Sequence, residues 1–270
     1  MKTACVEYPE ELAGTQISAW QFVAGTLAWY NTLACVSPHP PLSISSEWLC
    51  SDPGYLPLAR IMGCKDWAIS KIRDITTLRT WKESIQARSA LSLRDLVLRA
   101  TEIETSIEDE IKITSMAIDA ERCSDDLLAV SNIHDYGSEY ITLLLTRIFA
   151  CAALTYLFAV VSGPNPNLPE IQSGVFRTIA AIRALPHLKF FCNLSWPLCV
   201  TGCLSTGDNQ EVFRRLMQKY NDTTHHFGSS QHIQNIVEKC WELHKDRDFT
   251  SDDVDWTTAM QTLDLDLLLV

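Results

Sequence analysis

Few residues in this 270-residue sequence have the type and spacing to do chemistry. His225, His226, His232 and His244 are metal-ligand types, and Cys199 and Cys203 share a helix face at i, i+4. No close second Cys or His pair completes a tetrahedral set, so zinc is disfavoured and no metal site is expected. Asp252-Asp253-Val254-Asp255 could attract a cation. It reads better as the solvated start of a helix, where carboxylates face free N–H groups. The sequence has no Gly-rich phosphate loop, no Gly-x-Ser-x-Gly elbow and no His-Glu-x-x-His. No cofactor is therefore expected, and no catalytic residue is assigned. Arg147 is the oddest residue, because it sits inside the apolar run 141–161. A permanent cation there needs a carboxylate partner, a water-filled cavity or a ligand.

If a ligand is present, its pocket should be walled by the three segments richest in apolar residues, 16–36, 134–161 and the stretch that begins at Leu194. Trp29, Tyr140, Arg147 and Trp196 are the candidate ligand-binding residues. Arg147 would hydrogen-bond a carbonyl or carboxylate while the aromatics shape the rest. A structural pair between Arg147 and a glutamate is the plainer alternative. Asn221-Asp222-Thr223-Thr224-His225 resembles half of a terpene-synthase magnesium motif. Its Asp-rich counterpart is missing, since Asp125-Asp126 runs on into Leu127, Leu128 and Ala129. Diphosphate ionisation is thereby excluded. What remains is catalysis by orientation alone, in which a shaped apolar cavity holds a flexible molecule in a reactive conformation.

The elements that must position these residues are helical. Leu194 to Cys203 reads Leu-Ser-Trp-Pro-Leu-Cys-Val-Thr-Gly-Cys, with Ser195 placed to cap and Pro197 in the first turn. It leaves almost no polar face, so it is expected to be a buried central helix over Ser195–Thr206. Upstream, residues 16–36 form a helix ended by Pro38, Pro40 and Pro41, and 47–63 form short helical pieces. Lys65–Lys82 is a helix with Ile69, Ile72, Ile75 and Leu78 on one side. Ser92 with Asp95 resembles a capping box for the next helix, and 121–126 read as a loop. His134–Val161 is one long helix or two, closed by Gly163-Pro164-Asn165-Pro166. Residues 168–184 form another helix. Asp208 with Glu211 opens an amphipathic helix, 233–241 carries a second stripe, and Asp252–Thr262 ends the chain's helices. No alternating pattern for a strand and no repeat is found. The expected fold is all-α, a single multi-helix domain over 1–270, with 1–14 flexible.

Composition narrows the function. The chain is 47% hydrophobic and 20% charged, with ample material for a core. Its net charge of −11, with basic residues scattered, works against nucleic-acid binding. None of the 10 cysteines forms a Cys-x-x-Cys pair, and with no signal-peptide core they are read as reduced and intracellular. Residues 141–161 are long enough to span a bilayer, but Arg147 interrupts them and a buried helix is expected instead.

Cys192 to Cys203, the Arg214-Arg215 helix, Val237 to Trp241 and Asp246 with Asp248 together resemble the regulatory domain of fungal zinc-cluster transcription factors. Met62-Gly63-Cys64 followed by Ile69, Ile72 and Leu78 fits the same pattern, as does Ala28-Trp29-Tyr30. The resemblance covers roughly 15–265. It implies an all-helical fold and a place in transcription, cytoplasmic or nuclear. The family reads DNA through six clustered cysteines and two zinc ions, whereas Cys5 and Cys35 are the only cysteines in the first 40 residues here. No direct nucleic-acid binding by this chain is expected. Two functions follow. The first is a stand-alone binder of an apolar small molecule, templating a cofactor-free cyclisation, pericyclic reaction or isomerisation of a terpenoid or polyketide intermediate. The alternative is a ligand-sensing transcriptional regulatory domain whose DNA reader lies elsewhere. A homodimer is compatible with either.

Overall fold

Apolar residues recurring every three or four positions fold this chain into helices, and no strand occurs among the described residues. The computed structural model describes residues 26–27, 29–30, 32, 63–125, 139–223, 230–245, 254–265 and 269. Thr26, Leu27, Trp29, Tyr30 and Thr32 are helical. Next come α1 (Asp66–Ala87), α2 (Leu93–Asp125), α3 (Glu139–Ser162) and α4 (Pro169–Arg183). A 3₁₀ turn (Leu188–Asn193) leads to α5 (Ser195–Cys203), α6 (Asp208–Thr223), α7 (Ser230–Lys245) and α8 (Trp256–Thr262). The expected pieces at 47–63 and the flexible 1–14 lie outside the described residues.

Gly63 turns the chain into α1 with φ +71°, where a Cβ would lie 2.7 Å from Leu145 Cδ1 on α3. Lys65 then donates its backbone N–H to Thr146 Oγ1 at 2.9 Å. The expected stripe Ile69, Ile72, Ile75 and Leu78 is buried. The helix runs past Lys82 to Ala87, because Glu83 to Ala87 contain neither Gly nor Pro. Lys82 Nζ meanwhile donates to the carbonyls of Val160 (2.7 Å) and Val161 (3.3 Å) at the end of α3, where orphan carbonyls attract a cation.

Ser92 caps α2 by accepting from Asp95 N at 3.3 Å. The helix continues through Asp125, so the polar run from 121 to 125 is helical rather than a loop. Polarity alone does not end a helix that lacks Gly and Pro. Arg177 of α4 holds α2 through both oxygens of Glu108, at 2.5 and 2.9 Å.

α3 packs against α1, α2, α4 and α5. It is apolar enough to cross a membrane by composition, yet 83% of its most apolar window is buried inside the fold. It serves as a core helix, as expected. α5 is wholly buried and packs against α3, α4, α7 and α8. Pro197 lies in its first turn, but Ser195 is the first helical residue and Leu194 takes the cap position without a side-chain bond. The core is therefore built around two helices, long α3 and short α5, rather than around α5 alone. α5 stops at Cys203, three residues earlier than expected, and Gly207 with φ +52° turns the chain into α6. Asp208 is the first residue of that helix.

Candidate functional site

Two tryptophans from distant parts of the chain meet across one phenylalanine. Trp29 stands edge-on to Phe149 at 5.5 Å, and Trp196 stacks on the other side of Phe149 at 6.2 Å. Tyr156, two turns further along α3, packs edge-on to Trp196 at 6.0 Å and to Trp256 at 5.7 Å. The result is a continuous buried row, Trp29–Phe149–Trp196–Tyr156–Trp256, threaded by one face of α3. Periodicity explains it, because Phe149 and Tyr156 are seven residues apart and so lie above one another.

Arg147 and Tyr140 are also seven residues apart and share a different face of α3. Arg147 is two residues from Phe149, about 200° around the helix from the row. Of the four sequence candidates, Trp29 and Trp196 are brought together, while Tyr140 and Arg147 lie on another side. Tyr140 and Arg147 are half-buried. Arg147 faces the region of Cys151, whose thiol burial pushes up to about 11 against the pull of Arg177 and Arg147. Among the described residues no carboxylate pairs with Arg147, and its Nε is buried without a hydrogen-bond partner. The indole N–H groups of Trp29 and Trp196 are likewise buried and unpartnered.

The Tyr156 end of the row opens on a pocket of about 380 Å³ between the second half of α1, the end of α3 and the start of α8. Arg79, Lys82 and Glu83 come from α1, Tyr156 and Val160 from α3, and Asp255 and Trp256 from the last helix and its cap. Asp255 caps α8, its Oδ1 accepting from Thr257 N at 2.9 Å and Thr258 N at 3.1 Å. Arg79 Nε donates to Glu83 Oε1 at 2.8 Å. The Tyr156 hydroxyl is buried beside the Arg79 guanidinium and the Thr76 hydroxyl. Burial pushes its phenol up, against the pull of the Arg79 charge.

Sequence reasoning missed this pocket. Tyr156 falls inside the apolar run 141–161 and was not singled out, and Arg79 sits 77 positions away on a helix whose exposed face is ordinarily charged. A phenol in an otherwise apolar helix was the one available signal, since a buried Tyr hydroxyl normally finds a partner.

The histidines do not converge. His232 and His244 lie 12 residues apart along α7, about 18 Å by helix rise, and His225 and His226 lie outside the described residues. Asp252 and Asp253 are also outside them. No group of three metal-ligand types is placed to hold an ion among the described residues. His244 instead approaches Cys240 Sγ at 3.7 Å. The Cys240 thiol is pulled down to about 7, mainly by a hydrogen bond from Cys203 and then by His244.

The fold defines an all-α protein with a two-helix core. Residues 11–270 match the fungal specific transcription factor domain, and the chain belongs to that family. It is 31% identical, over 84% of its length, to a trichothecene biosynthesis transcription regulator of Fusarium sporotrichioides, of which it covers 49%. A regulator of the same description from Trichoderma arundinaceum is 32% identical over 87% of the chain and 50% of that protein. The ustiloxin B cluster transcription factor of Aspergillus flavus is 30% identical over 90% of the chain and 41% of its own length. The chain thus spans about half the length of the curated relatives it matches. No solved structure matches it.

Proposed function

We propose that this chain is the regulatory part of a transcription regulator that controls genes for one secondary metabolite, acting in the nucleus. The observation that carries this is the alignment with relatives named as regulators of trichothecene and ustiloxin B biosynthesis, which runs through most of the chain rather than one motif. A chain of net charge −11 suits contacts with protein or small molecules better than with phosphates, so the DNA contacts are assigned elsewhere.

The expectation of a templating binder draws no support from those relatives, whose names describe regulation. In its favour stand only the unpartnered N–H groups of Trp29, Arg147 and Trp196, which a buried guest could satisfy.

One experiment separates the two. The gene is deleted in its own fungus, and both transcripts and metabolites are profiled. A regulator's loss lowers the messenger RNA of a whole set of biosynthetic genes together. A templating enzyme's loss leaves those transcripts unchanged and accumulates one unprocessed intermediate.

A further inference from the structure

α2 buries one face and exposes the other. Leu96, Ala100, Ile107, Ile111 and Ile118 are buried on the side that meets the fold. At about 100° per residue, Leu98 and Met116 fall on the opposite side, where they are 55% and 73% exposed. They stand about five turns apart, about 27 Å along the helix axis. Between them the outward line steps by four and three residues in turn, through Glu102, Thr105, Asp109 and Lys112, all exposed. That alternation is the spacing of a seam between two helices. A lone exposed Leu or Met needs no explanation. The order of the residues between these two is what points to a partner.

The seam is complementary to itself when reversed. Leu98 and Met116, Glu102 and Lys112, and Thr105 and Asp109 are each equally far from Ile107 in sequence. Two copies of α2 laid antiparallel about a two-fold axis at that level bring the members of each pair together across the axis, each pair occurring twice. Laid parallel, the same helices would set Glu102 on Glu102 and Asp109 on Asp109, like charge on like. We propose that this chain forms an antiparallel homodimer through the outward face of α2, with Leu98 on Met116 at both ends and Glu102 on Lys112 fixing the register. Ile113, 61% exposed, widens the apolar contact at each end. Arg94 and Asp119 fall on one flank of the seam, near enough in level to pair between the two copies. Asp95 shares a level with Asp119 but lies about 120° away around the helix, so the two do not confront each other. Lys112 already holds Asp109 of its own chain at 3.0 Å, which keeps its ammonium over the seam. A seam this short buries less than the roughly 1,600 Å² of a standard interface, so the dimer is weak and concentration-dependent. It rests on α2 alone and not on the regulator reading.

The test is sedimentation velocity of the purified chain from about 1 to about 300 µM, over which monomer should give way to dimer. Lys112→Glu turns both polar pairs into Glu on Glu and should weaken the dimer about tenfold or more. Glu102→Lys should do the same without touching the bond between Lys112 and Asp109. The double variant Glu102→Lys with Lys112→Glu restores opposite charges and should recover the parent's affinity. Leu98→Asp should leave monomer at every concentration. These positions are exposed, so the substitutions act on association rather than on folding. A parent chain that stays monomeric throughout would overturn the proposal. So would a dimer indifferent to Lys112→Glu and Leu98→Asp, which would put the contact on another face. A double variant as weak as Lys112→Glu alone would overturn the antiparallel register. None of these outcomes depends on transcripts, so failure here and failure of the regulator reading are told apart.

Discussion

Trp241 donates its indole N–H to the carbonyl of Gly202 at 2.8 Å, pinning α7 to α5 where both are buried. The contact requires glycine. A Cβ at 202 would stand 2.7 Å from Phe213 Cζ and 2.7 Å from Val237 Cγ2, and those side chains are themselves packed on every side. Gly202→Ala gains about 1 kcal/mol of helix propensity but overpacks the junction of α5, α6 and α7. A net loss of about 1–2 kcal/mol is expected, read from urea unfolding. A variant as stable as the parent would mean that the helices separate freely at this point.

The buried thiols set the alkaline limit of the fold. Burial raises Cys64, Cys151 and Cys203 above their ordinary value of 9.0, Cys151 to about 11. In the unfolded chain they ionise near 9, so unfolding releases protons that the native state keeps. Stability should therefore fall as pH rises from 9 to 11. Cys240 runs the other way. Its folded value is lowered to about 7, so its contribution is present above 9 and lost as pH drops through 7. His244 is raised, and its contribution, full below 6.5, is lost as pH climbs through its folded value. Melting temperatures between pH 9 and 11 should decline, and Cys151→Ala should make the decline shallower. Equal slopes for the two proteins would remove Cys151 from the account.

Much of the fold was legible because its signals are local. The α1 stripe, the Ser92 cap, Pro197 in the first turn of α5 and the absence of a strand pattern all follow from residues within one or two turns. The boundaries that differed did so for physical reasons. The residues after Lys82 and around Glu121 are polar but helix-competent, and polarity marks exposure rather than an end. The 3₁₀ turn over Leu188–Asn193 has no distinct spacing signal, since its buried Phe190 and Phe191 read equally as loop or helix. The site was legible only in halves. Trp29 and Trp196 were expected in the wall of a ligand pocket; in the fold both pack on Phe149, which carries no polar atom to attract notice. The pocket needs Arg79, Tyr156 and Asp255, which only tertiary packing assembles.

Asp255 does two jobs, and its cap can be tested apart from the pocket. Its side chain accepts from two backbone N–H groups of α8, and α8 buries Trp256, Ala259 and Met260. Asp255→Ala should cost about 1 kcal/mol in thermal or chemical unfolding. Asp255→Asn keeps an acceptor at the same place and should retain most of that stability. If both variants lose equally, the carboxylate's charge rather than its capping oxygen holds α8.

Arg147 remains the test of whether α3 serves anything besides packing. It is half-buried on a helix otherwise lined by apolar residues, and among the described residues no carboxylate meets it. Glu108, which influences the same Cys151 thiol, is held through both oxygens by Arg177. Arg147→Met keeps roughly the volume and removes every donor. With no partner to strand, the melting temperature should hold, or rise slightly as an unpaired buried N–H disappears. A loss of about 3–5 kcal/mol would instead reveal a buried ion pair with a residue outside those described. Stability and function must then be read together. If Arg147 binds a ligand's oxygen, Arg147→Met should fold normally yet fail to restore cluster transcripts when returned to the deletion strain. Full restoration by a stable Arg147→Met protein would leave Arg147 without a part in regulation.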